Sequence, residues 1–220
     1  MDRRDFIKRT ALGIAALAAS RTMANPVVEG LHNIADEDTQ LGVRTEKKEA
    51  DISVVEYIAN YRNAESFIAY CRQCDNYGRR NGCPPFNYDV MKFIGQYRKL
   101  KILGFKIIPR TQLPLAKAND VIAAALPEMN RQLFEAEKVL DGFACGFVGK
   151  CIYCSETCAR IEGKPCRHPD KVRPSLEAFG FDLMKTSEEL LGIKMKWGHD
   201  GMMPEYLTLV CGVFYDKKTE

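Results

Sequence analysis

Cysteine is the residue type through which this sequence could do chemistry. The 220-residue chain carries nine, and seven fall into two short segments: Cys71, Cys74 and Cys83, then Cys151, Cys154, Cys158 and Cys166. Thiols crowded at such spacing read as metal ligands before they read as a disulfide ladder.

The later segment has the spacing C-x2-C-x3-C-x7-C. Thiolates this close along the chain can converge on one centre with little loop-closure cost. Four of them suit a cubane iron–sulfur cluster or a tetrahedral zinc. Structural zinc more often divides its ligands between two distant C-x2-C pairs, so this pattern favours [4Fe–4S], with zinc as the alternative. The C-x3-C-x2-C order of enzymes that use S-adenosylmethionine for radical chemistry is reversed here.

The earlier segment is Cys71-x2-Cys74-x8-Cys83-Pro84-Pro85. A proline after a ligating cysteine fixes φ and turns the chain away from the metal. Three thiolates need a fourth ligand or leave one iron open. Cys145, six residues before Cys151, is the nominee, since two-cluster proteins exchange ligands between motifs. One or two clusters are therefore expected. A C-x2-C redox dithiol at Cys71 and Cys74, or a zinc site completed elsewhere, are the rivals for this segment. Cys211 sits in a continuous apolar run and reads as a small buried hydrophobe. His168 reads as fixing its loop by a hydrogen bond, and His32 and His199 have no partner at ligand spacing.

The residues also resemble a family. Cys71-x2-Cys74-x2-Tyr77-Gly78-x4-Cys83-Pro84-Pro85 is followed by Cys151, Cys154, Cys158 and Cys166-Arg167-His168-Pro169. Then comes Arg173-Pro174-Ser175-Leu176-Glu177-Ala178-x-Gly180-x-Asp182. In this order they are similar to the prokaryotic predicted metal-binding proteins of domain of unknown function 2284, over roughly Ile52 to Tyr215. The resemblance implies cysteine-ligated metal in a domain with no assigned reaction.

The elements that must position these thiols are legible in outline. Strands are expected over residues 52–58, 101–108, 143–148 and 205–215 from β-branched content and apolar runs. Helices are expected over 64–70, 88–97, 116–140, 174–179 and 182–191, with Pro127 kinking or splitting the longest. The 174–179 helix could aim its N-terminus, with Arg167 or Arg173, at cluster charge. Asp200-Gly201 marks a hairpin turn. The fold class is α+β: one domain, a small sheet with helices packed on one face and the cysteine loops at one end.

Three further stretches set the context. Residues 1–24 place Arg3, Arg4, Lys8 and Arg9 before the nine-residue apolar run from Ala11 to Ala19. That run spans about 14 Å as a helix, well short of a ~30 Å hydrocarbon core, so no stable membrane span is expected. Arg3-Arg4-Asp5-Phe6-Ile7-Lys8 resembles a twin-arginine translocation signal, which implies export of an already folded protein to the periplasm. Residues 25–50 read as a polar tether or a loosely docked arm, and 51–220 as the cysteine-rich domain. The segment 1–24 holds five of the 32 Lys/Arg and two of the 29 Asp/Glu, which leaves 27 of each. The remaining chain has no net basic character, and no nucleic-acid partner is implied.

The function these features lead to is an exported iron–sulfur protein that handles electrons, as a carrier or redox accessory with a redox partner protein. The alternatives are an enzyme whose substrate binds an open iron of the three-cysteine site, and a zinc-stapled interaction module.

Overall fold

The computed structural model describes residues 42–219 apart from positions 148, 150, 152, 155 and 156. The signal segment, the tether up to residue 41 and His32 lie outside the described residues.

A four-stranded antiparallel sheet organises the chain, in the order β1 (Val43–Ser53), β2 (Tyr97–Pro109), β4 (Leu207–Lys217), β3 (Phe143–Cys145). The β1–β2 register runs from Val43 opposite Pro109 to Ser53 opposite Lys99. Residues 43–50, assigned to the tether by sequence, are thus most of an edge strand. Its charges pair along the strand (Lys47–Glu49) and across to β2 (Lys101–Asp51), the kind of charged edge that discourages further strand pairing.

The α+β class holds, but helices cover both faces of the sheet and not one. Side chains alternate along a strand, and β2 is apolar on both sides. Leu100 and Ile102 join a core with α1 (Val54–Tyr61), α3 (Val90–Ile94) and α5 (Leu183–Leu191). Leu103, Phe105 and Ile107 pack with α4 (Ala118–Val139). Strand β4 divides in the same way, Val210 and Phe214 to one side, Leu209, Cys211 and Val213 to the other. This is why it reads as an unbroken apolar run.

Three local expectations change. Residues 54–61 are helical, not extended: Ser53 Oγ accepts the Glu56 N–H at 3.1 Å as an N-cap, and Val54, Tyr57 and Tyr61 form the buried face. Capping and that buried face outweigh β-propensity. Of the two outcomes expected at Pro127 the split does not occur, since helix α4 continues through it. Both Pro127 and Ala123, whose carbonyl loses its partner, are exposed, so water can replace the lost bond. Residues 174–179 make only one 3-10 turn, Glu177–Phe179. Pro174 O is taken by Gly146 N–H at 2.8 Å, and Gly146 and Ser175 form a parallel bridge, so the chain before the turn follows the sheet and not a helix.

The hairpin turn is as expected: Asp200 and Gly201 both have positive φ, and His199 and Met202 exchange backbone hydrogen bonds. Among the described residues no helix is long and apolar enough to cross a membrane.

Candidate metal centre

Helix α2 (Ala64–Arg72) delivers Cys71 in its last turn. Asn63 caps its start, accepting the Ser66 N–H at 3.2 Å. Successive turns then fold the loop on itself: Cys74 N–H donates to Cys71 O, Tyr77 N–H to Cys74 O, and Cys83 N–H to Arg80 O. Gly78, at φ +67°, closes the loop by donating to Pro84 O at 2.8 Å.

The later segment docks against this loop chiefly through Arg160. Its guanidinium donates to the carbonyls of Arg80 (2.8 Å), Cys83 (2.6 Å) and Pro85 (2.6 Å). Asn81 Nδ2 reaches Cys158 Sγ at 3.7 Å. At Gly82 a Cβ would lie 3.0 Å from the Arg173 carbonyl, so any larger residue would push the two backbones apart by a few tenths of an ångström. The backbone N–H of His168 donates to Cys166 Sγ at 3.4 Å, and its ring centre lies 6.4 Å from that of Tyr153.

A cavity of about 180 Å³ opens between the segments, bordered by Cys71, Cys74, Cys83 and Cys151. Phe67 and Phe147 contribute apolar wall, and Arg173 and Glu177 charged wall. Arg173 is held there by a bidentate pair with Glu137, Nε to Oε1 and Nη2 to Oε2, both 2.8 Å, and its guanidinium lies 5.3 Å from the centre of the Phe134 ring. It therefore does not face the later cysteines as a free charge.

Thus three thiols of the earlier segment meet one thiol of the later. Cys154, Cys158 and Cys166 do not border the cavity, although Cys151 is electrostatically adjacent to all three. Cys145 is fully buried on β3, packed in the core beneath α1 and α5. The structure does not bring it to the cavity wall. Cys211 is fully buried on β4 against α4, in keeping with a packing role. All nine thiols are free. Among the described residues, no three Cys, His, Asp or Glu side chains stand close enough to hold a metal ion.

Burial favours thiol over thiolate at Cys71, Cys83 and Cys151. Burial pushes Cys71 up to about 12, helped by the charges of Glu177, Cys83 and Cys74. Burial and Cys74 raise Cys83 to about 11, against the pull of Arg160 and Arg80. At Cys158 burial is outweighed by hydrogen bonds from Arg160 and Asn81 and by the Arg80 charge, so its thiol falls below the ordinary value. Metal binding must therefore displace protons from the cavity thiols, and affinity should rise with pH.

Glu177 is the residue that spacing alone did not single out. It belongs to the turn whose far end, Gly180 at φ +88°, packs 2.7 Å (as a built Cβ) from Ala64 Cα at the start of α2. Asn63 N–H donates to Gly180 O at 2.9 Å. The turn is thereby pinned to the helix that carries Cys71. The carboxyl Oε2 of Glu177 is buried and has no hydrogen-bond partner among the described residues, and burial lifts its pKa to about 7.

The sequence pattern of a family described as "Predicted metal-binding protein (DUF2284)" matches residues 58–213. No curated protein and no solved structure matches the chain.

Proposed function

The chain belongs to the DUF2284 family of predicted metal-binding proteins, and we propose that it is an exported iron–sulfur protein that carries electrons to or from a redox partner protein. The observation that carries this reading is the placement of the cavity thiols. Three soft sulfur donors, Cys71, Cys74 and Cys83, border one space of about 180 Å³, which supports a cluster bound between them.

The donor chemistry fits the group. Cys71, Cys74 and Cys83 would supply soft sulfur ligands to a cluster in the cavity, and Cys151, Cys154, Cys158 and Cys166 would hold a second. When bound, such clusters supply one-electron chemistry. The chain itself supplies a largely apolar wall, the Asn81 side-chain and His168 backbone N–H groups directed at sulfur, and the Arg160 and Arg80 charges near Cys83. These are the levers that set cluster potential. Export rests on the Arg3-Arg4 motif and its apolar run.

The test is anaerobic purification with iron, sulfide and zinc counted per chain. Iron with matching sulfide and a brown chromophore is expected; stoichiometric zinc without sulfide would refute the cluster. Arg3→Lys with Arg4→Lys should retain the protein in the cytoplasm, and undiminished periplasmic recovery would refute export.

A further inference from the structure

We propose that Glu177 is the fourth ligand of the site built by Cys71, Cys74 and Cys83, giving its cluster one oxygen-ligated iron. The inference rests on the iron–sulfur reading above and deepens it.

Three observations converge on this residue. Glu177 borders the same cavity as the three thiols. Its Oε2 is buried and has no hydrogen-bond partner among the described residues. An unpaired carboxylate oxygen away from water is costly, and a metal is the partner that removes that cost most completely. Finally, the turn Glu177–Phe179 that carries it is pinned to α2, the helix that delivers Cys71 to the cavity, through Gly180 and Ala64 and through the Asn63–Gly180 hydrogen bond at the start of that helix.

The other two contenders for the position are placed less well. Cys145 is packed in the core and does not border the cavity. Cys151 does border it, but along the chain it belongs to the later set of four cysteines. Assigning Glu177 to the cavity leaves the later four cysteines intact as a set.

A carboxylate is a harder ligand than a thiolate. The iron it holds should be spectroscopically distinct and more easily lost than its thiolate-held neighbours.

The experiment compares the unsubstituted protein, Glu177→Gln and Glu177→Cys, each reconstituted anaerobically with ferrous iron and sulfide. Iron and sulfide counts, Mössbauer spectra and circular dichroism are the readouts. Iron with sulfide in the unsubstituted protein upholds the cluster reading by itself; zinc or no sulfide sinks that reading, and the Glu177 assignment with it. Given a cluster, the expected result is a distinct subspectrum of about a quarter of one cluster's iron. Glu177→Gln should lose that iron to a chelator, and Glu177→Cys should keep it while the distinct subspectrum merges with the rest. Unaltered iron content and spectra in Glu177→Gln would overturn the assignment. Should Glu177→Gln fail to fold, uniformly thiolate-like iron in the unsubstituted protein would overturn it equally.

Discussion

Removing Glu137 should undo the wall of the cavity from behind. Its carboxylate receives Arg173 Nε and Nη2 at 2.8 Å each and also the Ala144 backbone N–H at 2.8 Å. The two side chains are only 15% and 16% exposed, so this pair is not a screened surface contact. Glu137→Ala leaves the Arg173 charge against the Phe134 ring without a counterion and strands a donor of β3. Breaking a buried pair on one side costs about 3–5 kcal/mol, a figure that already includes the orphaned charge. With a urea slope of roughly 2 kcal/mol/M for a domain of this size, the midpoint should fall by about 1.5–2.5 M with the slope unchanged. Metal-free protein is the right sample, so that lost metal does not inflate the effect. The double variant Glu137→Leu with Arg173→Met should regain most of the loss, because apolar replacement of a buried pair is often neutral. It should not regain all, since the Ala144 N–H stays unpaired. A single-variant loss below about 1 kcal/mol, typical of an exposed ion pair, would refute the argument.

Arg160→Met removes three hydrogen bonds to loop carbonyls and should cost about 2–4 kcal/mol, with faster proteolysis over residues 75–85; unchanged cleavage there would show that the loop holds itself. Glu177 should make the metal-free protein less stable as pH rises. Its folded pKa of about 7 lies above the ordinary 4.5, so its contribution is complete below about pH 4.5 and lost by the time pH has risen through 7. That amounts to about 3 kcal/mol, read as urea midpoints at pH 5 and 8, and Glu177→Gln should remove this slope. Cys211→Ala should cost about 1–2 kcal/mol through a small cavity and leave the metal content unchanged; loss of a metal centre would make Cys211 a ligand.

What was legible in the fold is what burial writes into sequence directly. Strand β4 is apolar along its buried length because both its faces are covered, and helix α4 repeats Val121, Ala125, Met129 and Leu133 on its buried side. The Asp200-Gly201 turn carries its own backbone preference. Strand β1 was hidden for the opposite reason. It sits at an edge, and its charges are satisfied by neighbours on β1 and β2, so locally it has the composition of a tether. Helix α1 was misread because Val54 and Val55 carry β-propensity, while its N-cap and its contacts with Phe181 and Thr186 lie in side-chain placement and in residues more than 120 positions away.

The cysteine segments could be found by spacing, but not the space between them. Spacing reports which thiols can meet without folding, and so it joins Cys71 to Cys74 and Cys151 to Cys154. It is silent on Cys83 meeting Cys151 across one cavity, because that approach depends on contacts with backbone. Arg160 recognises three carbonyls, Gly82 admits the Arg173 backbone, and Gly180 admits Ala64. None of these contacts requires a particular side chain on the other side, so none leaves a paired signature in the sequence. Glu177 was obscured in the same way. It lies in the Arg173–Asp182 stretch that carries the family resemblance, but nothing in that stretch marks it as a ligand among 29 acidic residues. It stands out only once the turn that carries it is laid on α2, at the cavity that Cys71 borders and with an oxygen that no described residue satisfies. The chemistry of the site is thus written in cysteine spacing, whereas its composition, which thiols share a space and what completes the set, is decided by glycine-permitted backbone contacts.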